Sequence, residues 1–309
     1  GNKYIDFTSG IGVNSIGYND DYWVNAITTQ ISHLAHMSNL FYTKPQVELA
    51  EKLIEISKMK KVFFANSGAE ANECAIKLAR KYSYDKYGDN RANIITLKKS
   101  FHGRTITTLK ATGQEKFHKY FFPFTEGFIY AETNDLDDCI EKMDDTVCAV
   151  MLESIQGEGG VNPLQDEFVK KLVYEAHQKD ILIIFDEVQT GVGRTGKFFG
   201  FEHFEVEPDI VSMAKGLGGG LPIGAVLCND KLESTFSYGD HGSTFGGNPV
   251  CCKGAQIVLE KVTSDNFLND VIEKGNSIVE EIKNLESPII KEIRGKGLMI
   301  GVELNIEVK

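Results

Sequence analysis

Short apolar runs alternate with helical stretches from Val62 to Cys228, and this alternation constrains the fold more than any other feature of the chain. Val62-Phe63-Phe64 precedes a helix expected over Ala69 to Tyr87. Ile94 to Leu97 and Val147 to Leu152 read as strands. Glu167 to Lys179 reads as a helix, and Ile181 to Phe185, Ile210 to Met213 and Gly224 to Cys228 as further strands. Continuous apolar strands separated by helices imply an α/β fold, a mostly parallel sheet flanked by helices, with ligands gathered at strand carboxyl ends. Upstream, alternation in Tyr4 to Phe7 suggests a short strand. Gln46 to Ser57 sets Val47, Ala50, Leu53 and Ile54 on one helical stripe behind Pro45. After Asn248-Pro249 the pattern changes to more highly charged helical stretches and an apolar strand, Leu298 to Leu304. The expected division is therefore an N-terminal segment (1–25, grouped with the small domain), a large ligand-binding domain (26–248) and a smaller α+β domain (249–309), apparently incomplete.

Composition excludes several classes of function. The net charge of −11 leaves no excess of Lys or Arg to neutralise phosphates, which argues against nucleic acid. No apolar stretch approaches membrane-spanning length, so no membrane partner is expected. The six cysteines (Cys74, Cys139, Cys148, Cys228, Cys251, Cys252) show no CxxC pairing and no His partner at metal-ligand spacing, so no metal is expected. The opening Gly1-Asn2-Lys3-Tyr4 has no apolar signal region. Free thiols in a reducing cytoplasm are the economical assignment. The absence of an initial Met suggests that the chain begins partway into a longer protein.

Two strand ends carry the chemistry. Ile181 to Phe185 ends in Asp186-Glu187, and Ile210 to Met213 leads to Ala214-Lys215-Gly216. A lysine and a carboxylate delivered to one sheet edge suit pyridoxal 5′-phosphate. The amine can hold that cofactor as a Schiff base, and the acid can keep its ring nitrogen protonated. Asn66-Ser67-Gly68-Ala69-Glu70-Ala71-Asn72-Glu73 lies between a strand and a helix. It is either an ordinary Ser cap or a set of backbone N–H groups (Ser67, Gly68, Ala69) aimed at a phosphate, and beside Lys215 the phosphate reading is the better one. Phe101-His102-Gly103-Arg104 follows the strand Ile94 to Leu97. Its ring can stack on a heterocycle and Arg104 can grip a carboxylate, although a core Phe and a surface Arg remain open readings. The role of His102 stays open, as does the choice between site acid and structural acid for Glu153. Asp240 to Pro249 is either a tight turn or a source of donors for a phosphate. Gly191-Val192-Gly193-Arg194-Thr195-Gly196 matches a dinucleotide fingerprint. However, five residues separate it from the strand and a poor helix start follows, so it reads as a decoy.

Together these segments resemble the class III aminotransferases of pyridoxal-phosphate fold type I. The match runs from Tyr4 to Leu298 and is most specific at Phe185 to Gly191 and around Lys215. Within the family, Ser38 to Thr43, Asp186 to Gly196 and His241 to Pro249 look most like the branch that transfers the δ-amine of N2-acetylornithine to 2-oxoglutarate in arginine biosynthesis. The resemblance implies Lys215 as Schiff-base lysine and proton carrier, Asp186 at the ring nitrogen and Gln189 at the phenolic oxygen. It implies Phe101 and Val188 on the two ring faces, and Gly68 and Ala69 at the phosphate. It also implies a homodimer with shared active sites, in which Thr244 reaches the phosphate from the neighbouring subunit. Arg104 would take the substrate carboxylate with Ser243 and Tyr42 nearby, and Glu158 would neutralise a gating arginine. That arginine belongs to a C-terminal section of the family that lies outside these residues. Ser154 stands where relatives usually carry Pro, with an expected effect on local stiffness only. Competing readings are 4-aminobutyrate or ornithine as amino donor, glutamate-semialdehyde aminomutase chemistry, and a non-catalytic homologue or fragment.

Overall fold

The computed structural model describes residues 1–307. In chain order they form α1 (Ser9–Gly12), α2 (Asp21–His33), α3 (Lys44–Ser57), β1 (Lys61–Ala65), α4 (Gly68–Tyr87), β2 (Asn93–Leu97), α5 (Ile106–Ala111), β3 (Phe128–Ala131), α6 (Leu136–Lys142) and β4 (Val147–Leu152). Two short strands, β5 (Ile155–Gln156) and β6 (Asn162–Pro163), lead to α7 (Asp166–Gln178), β7 (Leu182–Asp186), β8 (Ile210–Met213) and β9 (Gly224–Cys228). The chain continues through α8 (Pro249–Val262), α9 (Phe267–Asn284), β10 (Ile290–Lys296) and β11 (Met299–Leu304).

Seven strands form the main sheet in the order β1-β9-β8-β7-β4-β2-β3. All neighbours pair parallel except at β9, which runs antiparallel to both β1 and β8. The central strands β4, β7, β8 and β9 are buried along their whole length, as expected for a sheet covered on both faces. Phe185, Leu172, Val169, Val211 and Leu259 share one core on one face of the sheet. Ala75, Ile76, Ala79, Ile184 and Ile210 share a second core, which packs α4 onto the sheet. The parallel register sets Asp186 opposite Ser212, so the ends of β7 and β8 open on the same edge.

Two expectations change, and two strands arise that the sequence did not signal. Tyr4 to Phe7 forms no strand; its side chains are exposed, and Asp6 instead closes a local turn by accepting bonds from Thr8 and Ser9. Without a neighbouring edge strand, alternation alone cannot make a ladder. α8 does not join the β10–β11 unit, since Cys252, Ala255, Val258, Leu259 and Val262 enter the core of the main sheet. Phe267 and Leu268 at the start of α9 also pack against that core. β3 and β10 carry no strong sequence signal and form by pairing with β2 and β11.

Leu172 is fully buried in the core while its neighbour Lys171 is exposed. Leu172→Ala should lower stability by about 2–5 kcal/mol and Lys171→Ala by less than about 0.5 kcal/mol, read by denaturant unfolding.

Candidate active site

β7 is the element that makes the site possible. Its last residue, Asp186, is a carboxylate only 4% exposed, and such a group needs donors in place of water. The Asn72 amide on α4 donates to Asp186 Oδ2 at 2.7 Å, and His102 Nδ1 donates to the same oxygen at 2.8 Å. The Val188 N–H reaches Oδ1 at 3.1 Å. Asn72 is itself fixed, because its amide also donates to the His102 carbonyl at 2.7 Å and its Oδ1 accepts from Ser212 on β8 at 2.6 Å. Oδ1 keeps acceptor capacity for one further donor.

Lys215 follows β8 and lies half-buried with φ 44, in the left-handed region that a lysine rarely adopts. Burial pulls its amine below the ordinary lysine value, against the fields of Asp186, Glu158 and Glu153. A lowered value favours the neutral, nucleophilic amine. Lys215 and Asp186 face one cavity of about 460 Å³, also lined by Ser67, Gly68, Ala69, Phe101, Arg104, Glu158, Val188 and Gln189. At one end of that cavity α4 begins. Ser67 caps the helix by accepting the Glu70 N–H at 3.2 Å, and the first-turn N–H groups of a 20-residue helix suit an anion. Gly68 permits close approach: a Cβ there would lie 2.7 Å from Val188 Cγ1. Gly157 is tighter still, with a hypothetical Cβ only 1.7 Å from Gln189 Oε1.

Glu153, left undecided by the sequence, is a buried acid whose carboxylate accepts the Phe101 N–H at 2.9 Å and the Gly157 N–H at 3.3 Å. It ties the ring-bearing loop to the loop that carries Glu158. Burial pushes its carboxyl up to about 7. Burial also opposes a charge on His102, yet the Asp186 carboxylate and the field of Glu153 lift that imidazole above its ordinary value. His102 Nε2 is buried without a protein partner. Glu187, next to Asp186, is purely structural. Its carboxylate accepts from Ser154 Oγ at 2.9 Å, Thr190 Oγ1 at 2.7 Å, Gly200 N at 2.8 Å and Phe201 N at 2.9 Å. Ser154 therefore does more than alter stiffness, because its hydroxyl satisfies a buried acid.

Three residues expected at the site stand outside this cavity within one chain. Ser243 and Thr244 line a neighbouring cavity of about 370 Å³ with Glu70 and Glu73, and Asn66 lines both cavities. Ser243 Oγ accepts from Asn66 Nδ2 at 3.2 Å and from Gly246 N at 2.8 Å. Tyr42 is 89% exposed and lines neither cavity. Val13, Asn72, Leu221, Pro222 and Ile223 line the main cavity and were not singled out in the sequence. Asn72 lies inside a motif that drew attention for its helix start, and only the approach of β7 to α4 reveals its second task. Gly191 to Gly196 form consecutive turns, followed by a short 3-10 helix (Gly200–Phe204) rather than an α-helix, so the fingerprint lacks its structural context.

A lysine, a buried acid and a helix start that suits an anion, all around one cavity, fit pyridoxal phosphate, and place the fold and site among enzymes of that cofactor class. A model of the aminotransferase class-III family matches residues 1–309, and the chain belongs to that pyridoxal-phosphate-dependent family. An acetylornithine aminotransferase of Haemophilus ducreyi is 55% identical over 306 residues, covering 99% of this chain and 77% of the relative. Another, from Caldanaerobacter subterraneus, is 53% identical, covering 99% of this chain and 78% of the relative. Among solved structures, the ornithine aminotransferase of Toxoplasma gondii, crystallised with oxidised glutathione and showing partial occupancy of pyridoxal phosphate at its active site, superposes with a TM-score of 0.93. It is 34% identical and covers 99% of this chain and 73% of that one.

An unfolded glutamate loses its proton near 4.5, whereas native Glu153 keeps its proton to about 7. The native state therefore binds more protons across that window, and this group's contribution makes stability fall as pH rises through it. Glu153→Gln removes the contribution. The thermal midpoint of the variant relative to wild type should rise by a few degrees between about pH 5 and about pH 7.5, and a constant offset would contradict the assignment.

Proposed function

We propose that this aminotransferase moves the δ-amine of N2-acetylornithine to 2-oxoglutarate, yielding N-acetylglutamate semialdehyde and glutamate, and that it works as a cytoplasmic homodimer. The observation that carries the reading is the shared cavity of Lys215, Asp186, the α4 start and Arg104. The relatives' names support the choice of donor.

Pyridoxal phosphate, when bound, supplies an aldehyde that condenses with amines and a ring that withdraws electrons from the carbon bearing the amine. Lys215 Nζ would hold the cofactor's aldehyde and would be the base that moves the proton of the substrate carbon. Asp186 would pair with the ring nitrogen, while Asn72 and His102 hold the carboxylate in place through Oδ2. The Gly68 and Ala69 N–H groups, with Ser67 at the cap, bind the phosphate. Phe101 and Val188 line the cavity and would enclose the ring, and Gln189 would donate to its phenolic oxygen. Arg104 reads a carboxylate on each substrate, which lets one pocket take two different molecules. Glu158 lines the cavity and serves as the movable acid that neutralises a neighbouring cation. Ser243, Thr244 and Tyr42 lie outside the cavity of their own chain, an arrangement that suits delivery across a two-fold interface.

Borohydride reduction of the holoprotein followed by peptide mapping should recover the cofactor on the peptide containing Lys215, and Lys215→Ala should retain none; a link at another lysine would overturn the assignment. Given equal amounts of N2-acetylornithine, ornithine and 4-aminobutyrate, the purified protein should show kcat/KM highest for the acetylated donor by about tenfold or more, equivalent to at least about 1.4 kcal/mol of transition-state preference. Turnover of glutamate semialdehyde without 2-oxoglutarate would favour aminomutase chemistry instead.

A further inference from the structure

We propose that Phe117 is a positioning residue for carboxylate recognition, its ring serving as the platform that holds the Arg104 guanidinium with its donor edges free. The inference rests on the reading of Arg104 given under Proposed function. Arg104 Cζ lies 4.3 Å from the Phe117 ring centroid and 5.3 Å from that of Phe101. The two rings meet edge to face, with centroids 5.8 Å apart and planes at 74°. Arg104 is exposed, and among the described residues no carboxylate closes an ion pair with it.

A guanidinium is planar and all its N–H donors point outward in that plane. Stacking on an aromatic face occupies the plane of the group and leaves the edges for a bidentate carboxylate, so the two contacts do not compete. A free arginine must give up rotamer freedom when a ligand binds, whereas a stacked one has already given up part of it. The platform is itself anchored. Phe117 ends a short 3-10 turn (Glu115–Phe117), and its N–H donates to the Gln114 carbonyl at 3.1 Å. The next residue, His118, is buried, and its Nε2 donates to the carbonyls of Leu109 at 2.8 Å and Thr112 at 2.9 Å. Phe101 is held independently through its N–H on Glu153. Lys116 Nζ also approaches the Phe117 ring, at 4.8 Å, and is the alternative cation that the ring could serve.

The test compares wild type with Phe117→Leu, Phe117→Tyr, Arg104→Gln and the double variant Arg104→Gln/Phe117→Leu. It measures steady-state kinetics in 2-oxoglutarate and calorimetric binding of glutarate to the holoenzyme. Phe117→Leu should raise the KM for 2-oxoglutarate and the Kd for glutarate by about 3–10-fold, with kcat changed less than about twofold. Phe117→Tyr should restore most of the loss, because a phenol presents the same face. In the Arg104→Gln background, Phe117→Leu should add less than about 1.5-fold, as expected of two groups acting as one unit. A Phe117→Leu penalty that persists undiminished without Arg104, or no penalty at all, overturns the proposal and leaves the Arg104 reading intact. Unchanged KM and Kd in Arg104→Gln would overturn both.

Discussion

A carboxylate taken out of water at the end of a parallel strand is costly unless donors replace the solvent, and Asp186 is held under that constraint. Two donors converge on Oδ2 and a third on Oδ1. They come from α4, from the loop after β2 and from the turn after β7. Asn72 links this set to Ser212 on β8, so the strand that leads to Lys215 is tied to the acid it must face. Three elements distant in sequence, α4, β8 and the loop after β2, are thus fixed relative to one carboxylate. The cavity walls follow from that arrangement.

The lysine is poised in a different way. Its backbone occupies a region that costs free energy for a residue with a Cβ, and its amine is partly withdrawn from water. Gly216, the next residue, is closely packed, since a Cβ there would lie 2.7 Å from Ser15 Oγ and 3.3 Å from Val192 Cβ. Glu153 and His102 add a buried acid and base beside Asp186, and the protonation of each of these two depends on the other and on the Asp186 charge. Such a cluster accords with catalysis that depends on where a proton rests.

The fold was legible in the sequence where burial is complete. β4, β8 and β9 fall at the expected residues, because a strand buried on both faces must be apolar along its whole length. Edge elements were less legible. β3 carries Phe128, Ile129 and Tyr130, half-buried, and depends on its pairing with β2. Tyr4 to Phe7 shows the converse, a strand-like pattern without a partner. At the site, Lys215, Asp186 and the α4 start could be found because each ends or begins a regular element. Asn72 and Phe117 could not, since an asparagine within a helix and a phenylalanine in a surface turn have many ordinary explanations.

The residues alone determined the α/β alternation, the lysine and acid at neighbouring strand ends, and the Ser-capped helix start, because each is a local consequence of side-chain chemistry and hydrophobic period. Only the tertiary structure decided which groups face the cavity. It assigned Asn72 and His102 to Asp186, gave Glu187 to Ser154 and backbone donors, and set Arg104 on Phe117. The physical reason is that hydrogen bonds and ring contacts between residues far apart in the chain depend on strand order and register, and those arise only when the whole core packs.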